Sequence, residues 1–395
     1  MKSKSLLTLV LVPLMVGCGT PEASSGETSE ASVSRSAEPI VFTLKDGQGR
    51  DVTIDSSKTN RVICIGAGAL RYYSYIGDVS KVIAVEKIDS GETFGVGQAL
   101  RPYYMAGYDH FKTLPIIGQG GPMAQVADAE KLAAAQPDII VSFLSADANN
   151  ALQTTLGGNI PVVGLTQGPN GVFDDKTIKS FEVLGAVFDK EDRVEALKAY
   201  IDSCKADFAN LTMTEDTYYC GGIGNWGQTS MYGSMLGFPV FKYAKVKSAL
   251  DDIEFKDKDG NVISKGQVTL DMEKLQATNP DHIFMDTAGI KGFATDYKKE
   301  GNKTKYDNLK AFTTGETYQL MPYNAYYSNL EVQLMSTYYV ASVAHSDFTV
   351  NLDAKMNEIT NKFLGKDMYN SIKAHEYGMG GYKKVNLPEV AESIQ

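Results

Sequence analysis

One internal repeat constrains this chain more than any other feature. Asp128-Ala-Glu130-Lys131-Leu132 runs through AAAQ to Pro137-Asp138-Ile-Ile. Asp271-Met-Glu273-Lys274-Leu275 runs through QATN to Pro280-Asp281-His-Ile, 143 residues later. Each copy of DxEKLxxxxPDxI reads as a helix followed by a buried strand. The aspartate caps the helix N-terminus, and the glutamate sits in the first turn, where the helix dipole favours an anion. The proline ends the helix and biases the preceding residue towards extended backbone. Two copies imply two lobes of related design.

The rest of the chain fits that frame. Apolar strands are predicted at Arg61 to Gly66, Val82 to Val85, Ile139 to Phe143, Val162 to Leu165, Tyr218 to Gly222, His282 to Met285 and Thr317 to Met321. Helical stretches alternate with most of them, which implies α/β lobes with largely parallel sheets. Ile40 to Ile54 reads as a hairpin turned by Asp-Gly and Gly. Between the lobes, Ile178, Phe181, Leu184 and Phe188 keep helical spacing, and so do Val194, Leu197, Ile201, Phe208 and Leu211. A helix over 190–209 would be about 30 Å long and could act as a stiff spacer. With 395 residues, 43% apolar and 22% charged, the chain has room for two or three domains and needs no disulfide or metal staple. A net charge of -10 leaves no basic field for nucleic acid. Four cysteines without a CxxC pair exclude a zinc ribbon or disulfide scaffold. The sequence leaves open whether Cys204 and Cys220 pair, since it does not give their separation.

The first forty residues point outside the cytoplasm. Lys2 and Lys4 precede an apolar run from Leu6 to Val16. A charged start and about ten apolar residues make a signal peptide, too short to span a bilayer. The run ends in Met15-Val16-Gly17-Cys18, which resembles the lipobox of bacterial lipoproteins and makes Cys18 the expected site of lipidation. Residues 19–39 are rich in Ser, Glu, Ala and Thr and cannot bury enough surface to fold. The expected organisation is a signal peptide at 1–17, a disordered tether at 18–39 and an N-terminal α/β lobe at 40–172. Linking helices at 173–212, a C-terminal lobe at 213–345 and C-terminal helices and a tail at 346–395 follow.

Ligands of open α/β sheets bind outside the carboxyl ends of strands. That selects the loops Gly68 to Tyr73, Arg101 to Tyr104, Ser145 to Asp147, Ile223 to Tyr232, Asp286 to Gly289 and Pro322 to Asn329. Arg71-Tyr72-Tyr73 and Arg101-Pro102-Tyr103-Tyr104 place guanidinium groups beside aromatics. Arginine grips oxyanions bidentately, and aromatics cover flat apolar surfaces. Trp226 is the only tryptophan and sits in a glycine-rich loop, and Tyr323, Tyr326 and Tyr327 cluster in another. The candidate ligand residues are therefore Arg71, Tyr72, Arg101, Tyr103, Trp226, Tyr323 and Tyr326. Such a set suits a large anionic or aromatic chelate and suits a bare divalent ion poorly. Neither a resident metal nor a cofactor is expected. Tyr338 and Tyr339 lie in an apolar helical run and read as core.

At this point the chain resembles the substrate-binding lipoproteins of ATP-driven importers for ferric siderophores, haem and vitamin B12. The resemblance covers residues 40–365 and rests on the lipobox, the KDGQGRDVTI hairpin, the RVICIGAGAL strand and loop, both EKLxxxxPD units and the linking helix. It implies a class III periplasmic-binding-protein fold, two Rossmann-like lobes with mostly parallel sheets joined by one long rigid helix. It also implies a monomer outside the cytoplasmic membrane that hands a metal chelate to an ABC permease driven by a cytoplasmic ATPase. The family docks on its permease through one glutamate per lobe, and the matching positions here are Glu130 and Glu273. An iron chelate is the first expectation, with haem, cobalamin or another metal complex as the alternative.

Two enzyme readings compete. Gly222-Ile-Gly224-Asn-Trp-Gly227 fits GxGxxG after a strand, but a tryptophan inside the loop crowds a pyrophosphate and no acidic residue stands at the usual spacing. A secreted hydrolase lacks GxSxG, and contiguous His345-Ser346-Asp347 is not how triads form. The expectation is a binding protein, not an enzyme.

Overall fold

The computed structural model describes residues 40–91, 100–121, 128–224 and 229–394. Cys18, the tether and Trp226 lie outside the described residues.

Strands β1 (Val41–Lys45) and β2 (Asp51–Asp55) form the expected antiparallel hairpin. Asp46 closes its turn by accepting the Gln48 and Arg50 amides, both at 2.9 Å. Its other oxygen accepts the Gly164 amide at 2.9 Å and so ties the hairpin to the first sheet.

That sheet holds β3 (Val62–Ile65), β4 (Val82–Glu86), β5 (Ile116–Gly118), β6 (Ile139–Ser142) and β7 (Val162–Gly164), all parallel, in the order β5-β4-β3-β6-β7. The second half supplies β8 (Thr217–Gly221), β9 (Gly233–Leu236), β10 (Lys247–Ser248), β11 (Phe255–Lys256), β12 (Val262–Ile263), β13 (Gly266–Thr269), β14 (His282–Asp286), β15 (Thr317–Leu320) and β16 (Lys383–Lys384). Its sheet runs β10-β8-β14-β15-β16, with β16 antiparallel, and β9/β13 and β11/β12 form separate pairs. β3 and β8 open their sheets, and strand order reverses beside them, at β3/β6 and β8/β14. Those reversals open crevices at the carboxyl ends of the strands.

The repeat occupies the same place in both sheets. Helices Ala129–Ala135 and Met272–Thr278 lead into β6 and β14. Asp128 and Asp271 cap them by accepting the Lys131 and Lys274 amides at 3.1 and 2.7 Å. Gln136 and Asn279 end them in the left-handed region. The aspartate after each proline does more than start a strand. Asp138 accepts the Asn60 and Arg61 amides at 3.0 Å, and Asp281 accepts the Thr217 amide at 2.7 Å. Each unit thus clamps its strand to the neighbouring one, β3 or β8.

Between the sheets stand the two helical stretches expected on either side of Asp189, but the second is shorter than 190–209 and packs on the first instead of standing alone as a spacer. Two helices, Asp175–Phe188 and Glu191–Asp207, pack against each other and meet at Asp189, which adopts φ 55°. Gly185 makes the tight contact possible: a Cβ there would stand 2.8 Å from Val194. The second helix has 17 residues, about 25 Å. It ends early because Phe208 turns inward against Tyr338 and Phe348, with ring centroids at 4.7 and 5.8 Å. Helix Leu330–Ala344 is buried from Leu330 to Ala341. Tyr338 and Tyr339 are core, as their setting implies. Residues after 345 add helix Leu352–Leu364, which packs on helix Leu330–Ala344 and on the first half, and strand β16, which completes the second sheet. Cys64, Cys204 and Cys220 are separate buried thiols.

Candidate functional site

The loop after β3 turns through Gly66 (φ 79°) and Gly68 (φ 96°), a conformation only glycine adopts freely. The segment Gly68 to Tyr73, expected as a loop, is instead the start of helix Ala69–Ile76, with Gly68 at its N-cap. Arg101 likewise stands extended before Pro102, the first residue of helix Pro102–Phe111. The arginines and tyrosines of both segments therefore point from helix starts into packed surroundings.

Across from them, Pro322 to Asn329 forms a tight turn after β15. Asn324 bridges to Ser328, and the Ala325 amide donates to the Tyr327 carbonyl at 2.9 Å. Tyr326 and Tyr327 both take positive φ, 51° and 76°. Two bulky residues in succession in that region cost roughly 1–2 kcal/mol each. Surrounding bonds over-determine the turn. Asp286 accepts the Tyr323 amide at 2.8 Å, Asn329 donates to Leu100 and Pro322 carbonyls at 3.0 and 2.9 Å, and Gln167 donates to the Ser328 hydroxyl at 3.1 Å. Backbone strain held in this way clusters at binding sites.

Five of the seven predicted ligand residues lie in or against this turn: Tyr323 and Tyr326 within it, and Arg71, Arg101 and Tyr103 beside it. Arg71 donates to the Tyr326 carbonyl at 2.9 Å and the Ala325 carbonyl at 2.5 Å, and lies 4.8 Å from the Tyr103 ring centroid. Arg101 pairs with Asp89 at 3.0 Å, donates to the Ile88 carbonyl, and lies 4.4 and 5.4 Å from the Tyr104 and Tyr326 rings. The Tyr103 hydroxyl donates to Asp89 at 2.7 Å. Burial pushes the Asp89 carboxyl up, against the pull of Arg101 and Tyr103.

The expectation that both guanidinium groups face the ligand needs correcting. Arg71 is 0% and Arg101 2% exposed. Terminal nitrogens of both are engaged by protein carbonyls, and Arg101 also by Asp89, because a buried guanidinium must find acceptors. Tyr72 and Tyr323 are also corrected. Tyr72 packs against Phe143 and Phe181, with its hydroxyl 3.2 Å from Gln167. Tyr323 packs on Phe238 at 5.0 Å, inside the second half. Tyr326 is half-buried between the halves.

The residue best placed to touch a guest was only part of a cluster in the sequence. Tyr327 is 46% exposed, edge-on to Phe143 at 5.2 Å, and its ring covers Gly68, where a Cβ would lie 3.5 Å from the ring. Nothing in a tyrosine signals a left-handed backbone, so its pose is not legible beforehand.

Two buried carboxyls stand at strand ends nearby. Glu86, closing β4, accepts the Gly66 amide at 2.8 Å, and burial raises it to about 7. Gly120 passes over it so closely that a Cβ would lie 2.6 Å from the Glu86 Cβ. Asp286, closing β14, accepts the Tyr323 and Ala288 amides, and burial raises it to about 7 as well. Neither forms an ion pair among the described residues. Gly222 of the GxGxxG sequence serves packing, since a Cβ there would lie 2.3 Å from the Asp286 carbonyl.

Glu130 and Glu273 stand in the first turns of the two repeat helices, both exposed. Neither carboxylate is bonded to a protein group among the described residues.

The chain is similar in fold to several solved proteins. A periplasmic solute binding protein from Veillonella parvula superposes with TM-score 0.60 at 15% identity, covering 90% of this chain and 99% of that one. The molybdate periplasmic binding protein MolA of Haemophilus influenzae gives 0.58 at 15% identity, covering 82% and 98%. Helicobacter pylori Ceue, solved with Ni(II) bound, gives 0.55 at 12% identity, covering 82% and 96%. No curated protein sequence matches. A family model described as periplasmic binding protein matches residues 62–316. That span runs from β3 to the residue before β15 and takes in both repeat units, so the chain belongs to the periplasmic binding protein family.

Proposed function

We propose that this protein is a lipid-anchored, extracytoplasmic receptor that captures an iron chelate between its two halves and delivers it to an ABC permease. The observation that carries this is the strained Tyr326-Tyr327 turn. The second half sets it against the strand ends of the first, beside Arg71 and Arg101, with Tyr327 left open. An open tyrosine face edge-on to Phe143 suits a large chelate with a flat aromatic surface such as a catecholate. Glu130 and Glu273, unengaged and placed alike on the two halves, supply the paired carboxylates that a permease with matching arginines would read. Cys18 carries the lipid, and the energy comes from the cytoplasmic ATPase.

The test is a titration of the purified protein with a panel: a ferric tris-catecholate, a ferric hydroxamate, haem, cobalamin, molybdate and Ni(II). A ferric chelate should bind saturably, and Tyr327→Ala should weaken it by tenfold or more. Saturable binding of molybdate or Ni(II) alone, or chelate binding indifferent to Tyr327, would refute the reading.

A further inference from the structure

We infer that Arg71 is a positioning residue: it latches the Ala325-to-Tyr327 turn in its left-handed shape and thereby fixes where the Tyr327 ring stands in the ligand site. This rests on the reading of that turn as part of the ligand site. Both terminal nitrogens of the guanidinium are spent on consecutive carbonyls, Ala325 and Tyr326. The side chain forms no ion pair among the described residues, and its Nε, buried, has no hydrogen-bond partner there. Its hydrogen bonds therefore go to the turn and not to a carboxylate. The turn in turn depends on something outside itself. Tyr326 and Tyr327 are unsuited to positive φ; the Asn329 amide on the Tyr323 carbonyl (2.8 Å) and the Ser328 hydroxyl on Asn324 (3.0 Å) close the base of the turn, while Arg71 holds the carbonyls at its tip.

The latch also joins the halves at a useful place. Arg71 sits on the helix that begins at Gly68, and Gly68 is the floor beneath the Tyr327 ring. The same short helix thus supplies both the surface under the ring and the fork that holds the ring's backbone. Only a planar fork with two parallel donors serves both carbonyls at once, and lysine lacks that geometry.

Hydrogen exchange of the ligand-free protein tests the latch directly. In Arg71→Met, peptides covering 322–329 should exchange at least tenfold faster, with β3 and β15 unchanged. Tyr326→Asn, which tolerates positive φ, should slow that exchange again in the Arg71→Met background. With ferric tris(2,3-dihydroxybenzoate) as probe, Arg71→Lys and Arg71→Met should lose affinity alike. The latch is overturned if the turn exchanges as in the parent, if exchange rises everywhere equally, or if Arg71→Lys binds the probe like the parent. A probe that fails to bind the parent counts against the chelate reading, and the exchange result still decides the latch.

Discussion

Asp286 should make the protein less stable as pH rises through neutrality, opposite to the usual behaviour of a carboxylate in an ion pair. Its carboxyl is raised from 3.8 to about 7 because burial penalises the charged form, and the two amides it accepts only partly offset this. Between those pH values the folded chain keeps a proton that the unfolded chain has released. Its stabilising contribution is therefore fully present below about pH 4 and lost as pH rises through 7, a change of up to ~4 kcal/mol. Asp286→Asn cannot titrate. It turns an amide group towards one of the Tyr323 and Ala288 N–H donors and so costs roughly 1–2 kcal/mol at every pH. The variant should be less stable than the parent at pH 4, where little of the contribution is yet lost, about equal to it near pH 5, and more stable at pH 8. Urea unfolding followed by far-UV circular dichroism, at constant ionic strength, gives these values. Glu86 is present in both proteins, so its similar contribution cancels in the difference. Parallel stability curves from pH 5 to 8 would show that Asp286 is ionised in the fold throughout, and the reasoning from burial would fail.

Other expectations are more local. Replacing both Glu130 and Glu273 by alanine should leave ligand affinity unchanged and abolish uptake in cells; normal uptake would remove them from docking. Tyr327→Gly should be more stable than Tyr327→Ala by ~1 kcal/mol in thermal unfolding, because glycine adopts φ 76° without strain; equal stabilities would deny the strain. Trp226 emission should change on saturation with the true ligand, and a constant signal would place that side chain away from the site.

The strands were legible because buried parallel strands are short apolar runs, and β3, β4, β6, β7, β8, β14 and β15 fall within a residue or two of their expected bounds. The two-lobed plan was legible in the repeat, whose aspartates and prolines do the same local work twice. The site was less so. Both Gly68 to Tyr73 and Arg101 to Tyr104 read from sequence as loops, and Arg71 and Arg101 as free cationic groups. Whether a guanidinium faces a ligand or a carbonyl 254 residues away depends on tertiary contact, and no local pattern carries that. The break at Asp189 was legible as the gap between two runs of helical spacing, whereas its left-handed backbone was not, since an aspartate does not announce one. β16 was missed because two exposed lysines give no apolar signal.

Native mass spectrometry of the protein purified from its own cells, grown with iron scarce, tests most directly whether a guest is held at the tyrosine turn. The parent should carry a metal-chelate adduct that Tyr327→Ala loses. A bare parent, or an adduct retained equally by the variant, would contradict the account.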